Sequence, residues 1–178
     1  MKIFKFILVV AAVAALSPIA SQQAGAHCQV PCGIYDDAAR FVSMREHVTT
    51  IEKAMGQIAT LAEEGAQNAN QVVRWVGAKE THADALSEIV TYYFMTQRIK
   101  VPADMTDKAA VTKYQGDLAL LHQILVYSLK AKQTTDVANT KKLSELIGAF
   151  EESYLGKKGA SVEIERLPYT QRLATLRG

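Results

Sequence analysis

The chain has 178 residues, 49% of them apolar and 21% charged. That composition excludes a disordered or collagen-like chain and leaves room for one domain. Twenty Lys and Arg stand against eighteen Asp and Glu, and the excess vanishes if Lys2 and Lys5 leave with a cleaved leader; such a balance gives no basic face for nucleic acid.

Residues 1–26 read as a secretory signal peptide. Lys2 and Lys5 form a positive start, residues 6–16 are an unbroken apolar run, Pro18 interrupts it, and Ala24-Gly25-Ala26 offers the small side chains that signal peptidase accepts. The run is shorter than the ~20 apolar residues a membrane span needs, so no stable membrane anchor is expected. The expected product is an exported protein, periplasmic or extracellular, beginning at His27.

Four helical segments follow. Asp36 and Asp37 can cap the first, which runs to about Glu64 with Phe41, Met44, Val48, Ile51, Met55, Ile58 and Ala62 at spacings of three and four. After a polar turn over 65–70, a second spans about 71–98, with Val72, Trp75, Ala83, Leu86, Val90 and Tyr93 near one face; Lys79 and His82 interrupt that stripe. Val101-Pro102 forces an extended link, because the residue before proline avoids helical angles. Tyr114, Leu118, Leu121, Leu125 and Leu129 mark a third helix. Thr134 or Thr135 can cap a fourth, with Leu143, Leu146, Ile147 and Phe150 facing inward. Long helices with short connections predict an all-α, up-down antiparallel four-helix bundle over residues 36–155. Residues 156–178 form a basic C-terminal extension, by default solvated or clasping another subunit.

The residues richest in chemistry are 27–35, His27-Cys28-Gln29-Val30-Pro31-Cys32-Gly33-Ile34-Tyr35. Once cleaved, His27 carries a free α-amine beside its imidazole. That amine, the Cys28 amide nitrogen and the Cys28 thiolate can chelate one metal in consecutive small rings. Pro31 breaks helix, so the chain can turn back and bring in the Cys32 thiolate, and Gly33 permits whatever backbone angles the exit needs. A square plane of nitrogen and sulfur suits Ni(II) or Cu(II), whereas zinc prefers a tetrahedron. The competing reading is a Cys28–Cys32 disulfide, the usual fate of two cysteines in an exported chain. It would close too short a loop to stabilise the domain much.

The nine residues resemble the nickel hook of the nickel-containing superoxide dismutase family. The resemblance continues through 46–55 and 71–100, where Arg74-Trp75 and Tyr93-Phe94-Met95 resemble one branch, and it covers roughly residues 27–155. It implies dismutation of superoxide to dioxygen and hydrogen peroxide by a nickel ion cycling between Ni(II) and Ni(III), in homohexamers of four-helix subunits. The ligands it implies are the His27 amine and imidazole, the Cys28 amide nitrogen and thiolate, and the Cys32 thiolate. Tyr35 is the catalytic candidate, standing over the open metal face to order substrate and supply a proton route; anchoring the hook by ring packing is the alternative. Where the family's best-known form steadies the axial imidazole with a glutamate and an arginine, this chain has Ser43 and Met44 at the first position, and His82 aligns with the second. Glu46 or His82 could supply that hydrogen bond. His47 and His122 read as surface or packing residues, and Arg40 and Arg45 as local positive charges. Outside the enzyme class, the same hook on an exported non-catalytic bundle would sequester nickel or copper.

Overall fold

The computed structural model describes Gly33 and residues 35–156. The leader expected over 1–26, the expected ligands His27, Cys28 and Cys32, and the extension expected beyond residue 156 lie outside the described residues. Within the unit that begins at Gly33, four long helices form among the described residues.

Helix α1 spans Asp37–Glu63 and is capped by Asp36, whose Oδ1 accepts from Ala39 N at 2.9 Å. Phe41, Met44, Val48, Ile51 and Met55 are buried as the spacing predicts, while Ile58 is half-buried and Ala62 exposed, where the seam opens. Gly65, at φ 107°, turns the chain into the short 3-10 turn Ala66–Asn68. A Cβ there would meet Gln67 Oε1 at 2.9 Å, so the backbone angle and the space both call for glycine.

Helix α2, Ala69–Glu88, passes directly into a π-helix, Ile89–Arg98. One continuous α-helix to Arg98 was the expectation; the register changes instead. Ile99 N donates to Phe94 O at 2.8 Å, Gln97 Nε2 to Tyr92 O at 2.8 Å and Thr96 Oγ1 to Thr91 O at 2.7 Å, each five residues back.

Helix α3, Lys108–Gln133, starts on Asp107, whose Oδ1 accepts from Ala109 N and Ala110 N. Of the residues that mark it, Leu121 is buried, Tyr114, Leu118 and Leu125 are half-buried and Leu129 is exposed; Ile124, Ala131, Asp117 and Ser128 complete the inner face. The two polar residues can lie inside because each is bonded. Asp117 accepts from Lys113 Nζ at 2.8 Å and Ser153 Oγ at 2.6 Å, and Ser128 Oγ donates to Ala83 O at 2.9 Å. Helix α4, Ala138–Leu155, buries Leu143, Leu146, Ile147 and Phe150 as predicted. Its first turn is bonded by Asp136, whose Oδ1 accepts from Ala138 N at 2.9 Å. Thr134 instead accepts from Asp136 N at 3.2 Å.

Cross-helix contacts run in opposite chain order. Arg45 pairs with Glu151 and Glu52 with Thr140, joining α1 to α4. Ser128 reaches Ala83 and Lys79 reaches Ala131, joining α2 to α3. Neighbouring helices are therefore antiparallel. Between them Phe41, Phe94 and Phe150 pack with ring centroids 5.0–5.5 Å apart, and Tyr154 closes the cluster. Among the described residues no helix is long and apolar enough to cross a membrane.

Candidate functional site

The described chain enters at Gly33, whose φ of 75° is a left-handed conformation. A Cβ there would meet nothing within 4 Å, so the backbone angle, not crowding, favours glycine directly after Cys32. Tyr35 follows, 40% exposed. Its ring meets the Tyr93 ring edge-on, centroids 5.9 Å apart, and the Arg98 guanidinium lies over its face at 4.3 Å.

Beneath Tyr35 sits Asp37, the first residue of α1. Its side chain turns inward and collects four hydrogen bonds: Tyr93 Oη at 2.7 Å and Arg98 Nε at 2.9 Å donate to Oδ1, and Arg98 Nη2 at 2.6 Å and Tyr154 Oη at 3.0 Å donate to Oδ2. Burial alone would raise the Asp37 carboxyl; the bonds from Arg98, Tyr93 and Tyr154 outweigh it and hold its pKa below the usual carboxylate range. The partners respond in kind. Tyr93 is pushed well up by burial and by its bond to Asp37, and Tyr154 is pushed up to about 12 by burial and the Asp37 charge. Arg98 is raised by its bond to the same carboxylate. Arg40 adds a second cation, 4.9 Å over the Tyr93 ring, with its Nε buried and unpartnered.

Farther along α1, His47 Nδ1 lies 2.9 Å from His82 Nδ1 on α2. Of the two roles expected for His47, surface or packing, the packing one holds: it is half-buried and paired with His82. A neutral pair needs one ring protonated at Nδ1 and the other at Nε2. Burial, and then the proximity of His82, lowers the pKa of His47. Glu46 and His122 are exposed. Among the described residues no group of three or more His, Cys, Asp or Glu side chains is assembled to hold a metal. Asp37 and Arg98 escaped the sequence reading, one taken for a cap and the other for the end of an α-helix. No sequence period announces them: the five-residue register appears only in the fold, in the bonds of Thr96 to Thr91 and of Gln97 to Tyr92.

Against known proteins, the family model of nickel-containing superoxide dismutase matches residues 22–158, a stretch that includes His27, Cys28 and Cys32 as well as the whole bundle. None of the curated proteins and none of the solved structures compared with the chain matches it. With more than half its length covered, the chain belongs to the nickel-containing superoxide dismutase family, and so is an oxidoreductase that converts superoxide to dioxygen and hydrogen peroxide with nickel as its cofactor.

Proposed function

We propose that the activity resides in the processed terminus, residues 27–35, with the His27 amine and imidazole, the Cys28 amide nitrogen and thiolate, and the Cys32 thiolate as the nickel ligands. The observation that carries this is the donor set itself, which falls inside the family match. Square-planar nitrogen and sulfur donors suit Ni(II), and two thiolates with an amide nitrogen push electron density onto the metal. When bound there, nickel supplies a one-electron couple between Ni(II) and Ni(III) that takes an electron from one superoxide and returns it to the next. Family membership favours this over a non-catalytic metal-sequestering bundle.

The chain's own residues manage position and protons. Forming hydrogen peroxide consumes two protons, and Tyr35 Oη is the hydroxyl suited to relay one. The Tyr93 and Tyr154 hydroxyls are committed to Asp37. Tyr35 is partly exposed and its hydroxyl bonds to none of the described residues. His82 or Glu46 would steady the imidazole of His27 where nickel is held; the bond of His82 Nδ1 to His47 leaves its Nε2 for that purpose. Assembly as a homohexamer, and export with signal-peptidase cleavage between Ala26 and His27, complete the reading.

The test is a protein that retains Ala26 beside one that begins at His27, each verified by intact mass. The His27 form is expected to bind nickel stoichiometrically and dismute superoxide, the Ala26 form to lose both with an unchanged helical circular dichroism spectrum. Full activity in the extended protein would overturn the ligand set.

A further inference from the structure

Four donors converge on the Asp37 carboxylate, yet only two of the residues that supply them also touch Tyr35. Arg98 places its fork on both Asp37 oxygens and its cationic face 4.3 Å over the Tyr35 ring. Tyr93 donates its hydroxyl to Asp37 Oδ1 and turns its ring edge-on to Tyr35 at 5.9 Å. Tyr154 grips the same carboxylate from α4 but lies among Phe41, Phe94 and Phe150. The carboxylate therefore has two arms that reach Tyr35 and one that anchors it to the core.

The π-helix makes the two arms possible. Tyr93 and Arg98 are five residues apart, and at the α-helical rotation of roughly 100° per residue they would point roughly 140° away from each other. In the i→i+5 register they stack on one side, so a single carboxylate at the start of α1 can hold both. A ten-residue π-helix is a costly element to keep, and such segments concentrate at functional sites.

We propose that Asp37 is a positioning residue for the dismutation reaction, fixing the Tyr35 ring through Arg98 and Tyr93. Without the carboxylate the partly exposed Arg98 guanidinium turns to water, because its fork has lost the geometry that matches a carboxylate. Tyr35 then loses the cation over its face. The inference rests on the reading that Tyr35 serves the reaction.

The experiment uses nickel-loaded full protein beginning at His27, with Asp37→Asn, Tyr35→Ala, their double variant, Arg98→Lys and Tyr154→Phe. Turnover, nickel content and the fluorine NMR spectrum of 3-fluorotyrosine-labelled protein are measured, with the Tyr35 line assigned by its loss in Tyr35→Phe. Asp37→Asn is expected to lower turnover about ten- to a hundredfold at unchanged nickel content. In the Tyr35→Ala background it should change turnover less than about twofold, since both substitutions remove one effect. The Tyr35 fluorine line should move toward the position of an exposed tyrosine in Asp37→Asn and Arg98→Lys and stay in place in Tyr154→Phe. Arg98→Lys keeps the charge without the fork and stands in should Asp37→Asn fail to fold. The same fold loss with and without Tyr35, or an unmoved Tyr35 line, would reduce Asp37 to a helix clasp and overturn the proposal. Full turnover in Tyr35→Ala would instead defeat the role given to Tyr35, and the positioning role of Asp37 with it. A wild type without nickel would defeat the metal-site reading while leaving the fluorine result standing.

Discussion

Lys79 is the buried cation that breaks the apolar stripe of α2, and replacing it with methionine isolates what the charge does. Its Nζ donates to Ala131 O and Thr134 O at 3.1 Å each and also to Lys132 O, carbonyls at the end of α3. Those carbonyls lack a following turn to donate to them, and a cation there also interacts favourably with the negative end of the helix dipole. Methionine keeps the length and apolar stem. Thr134 is exposed and Lys132 partly so, hence water can replace the ammonium at two of the acceptors. Ala131 is fully buried, and stranding a buried carbonyl costs about 1–3 kcal/mol. Loss of the dipole interaction adds about 0.5 kcal/mol. Against this, burial and the nearby charge of Lys132 disfavour the ammonium, with Glu80 opposing, so its removal returns part of the loss. The net expectation for Lys79→Met is a destabilisation of about 2 kcal/mol, or a Tm lower by roughly 4–8 °C in a domain of this size. Thermal circular dichroism at matched protein concentration reads it, since assembly would otherwise shift Tm. A Tm equal to or above that of the wild type would show that the ammonium does not hold the end of α3.

Phe94→Ala, which empties the centre of the aromatic cluster, should cost about 3–5 kcal/mol in chemical denaturation and broaden the near-ultraviolet dichroism of the remaining rings. Because the folded pKa of His47 is lowered, its stabilising effect is complete above the ordinary histidine value and is lost as pH falls through about 6.5 toward the folded value. Tm should therefore fall by a few degrees from pH 7.5 to 5, and less so in His82→Gln; an identical slope in both would contradict the coupling of the pair. Asp37 is likewise lowered, so the advantage of the wild type over Asp37→Asn, about 1–2 kcal/mol at neutral pH, should disappear as pH falls through the carboxylate range, as read in urea melts.

Much of the bundle was legible because its core obeys one period. On α1 the buried residues are apolar and recur at three and four, and on α4 Leu143, Leu146, Ile147 and Phe150 do the same between the buried polar Thr140 and Glu151, so Phe41 to Met55 and Leu143 to Phe150 could be read without any knowledge of partners. On α3 the same rule placed the helix and Leu121 but missed part of its inner face, since Asp117 and Ser128 are buried by virtue of partners on other helices that no local pattern announces. Lys79 was visible only as an interruption. Its reason, three carbonyls more than fifty residues away, belongs to the fold.

The site divides along the same line. The ligand set proposed for His27, Cys28 and Cys32 falls within six residues of sequence, so the spacing of its donor atoms could be argued from the order of residues alone. The clasp around Tyr35 joins residues 37, 93, 98 and 154, and it depends on a helical register that the 3.6-residue period does not contain. Periodicity analysis treats Tyr93 and Arg98 as residues on different faces; the i→i+5 register makes them neighbours. The division has a physical consequence. Donor identity can be tested at the terminus without disturbing the bundle, whereas the placement of Tyr35 is set by α1, the π-helix and α4 together. Substitutions far along the chain, at Arg98 or Tyr93, should thus alter the surroundings of a tyrosine that lies only three residues from Cys32.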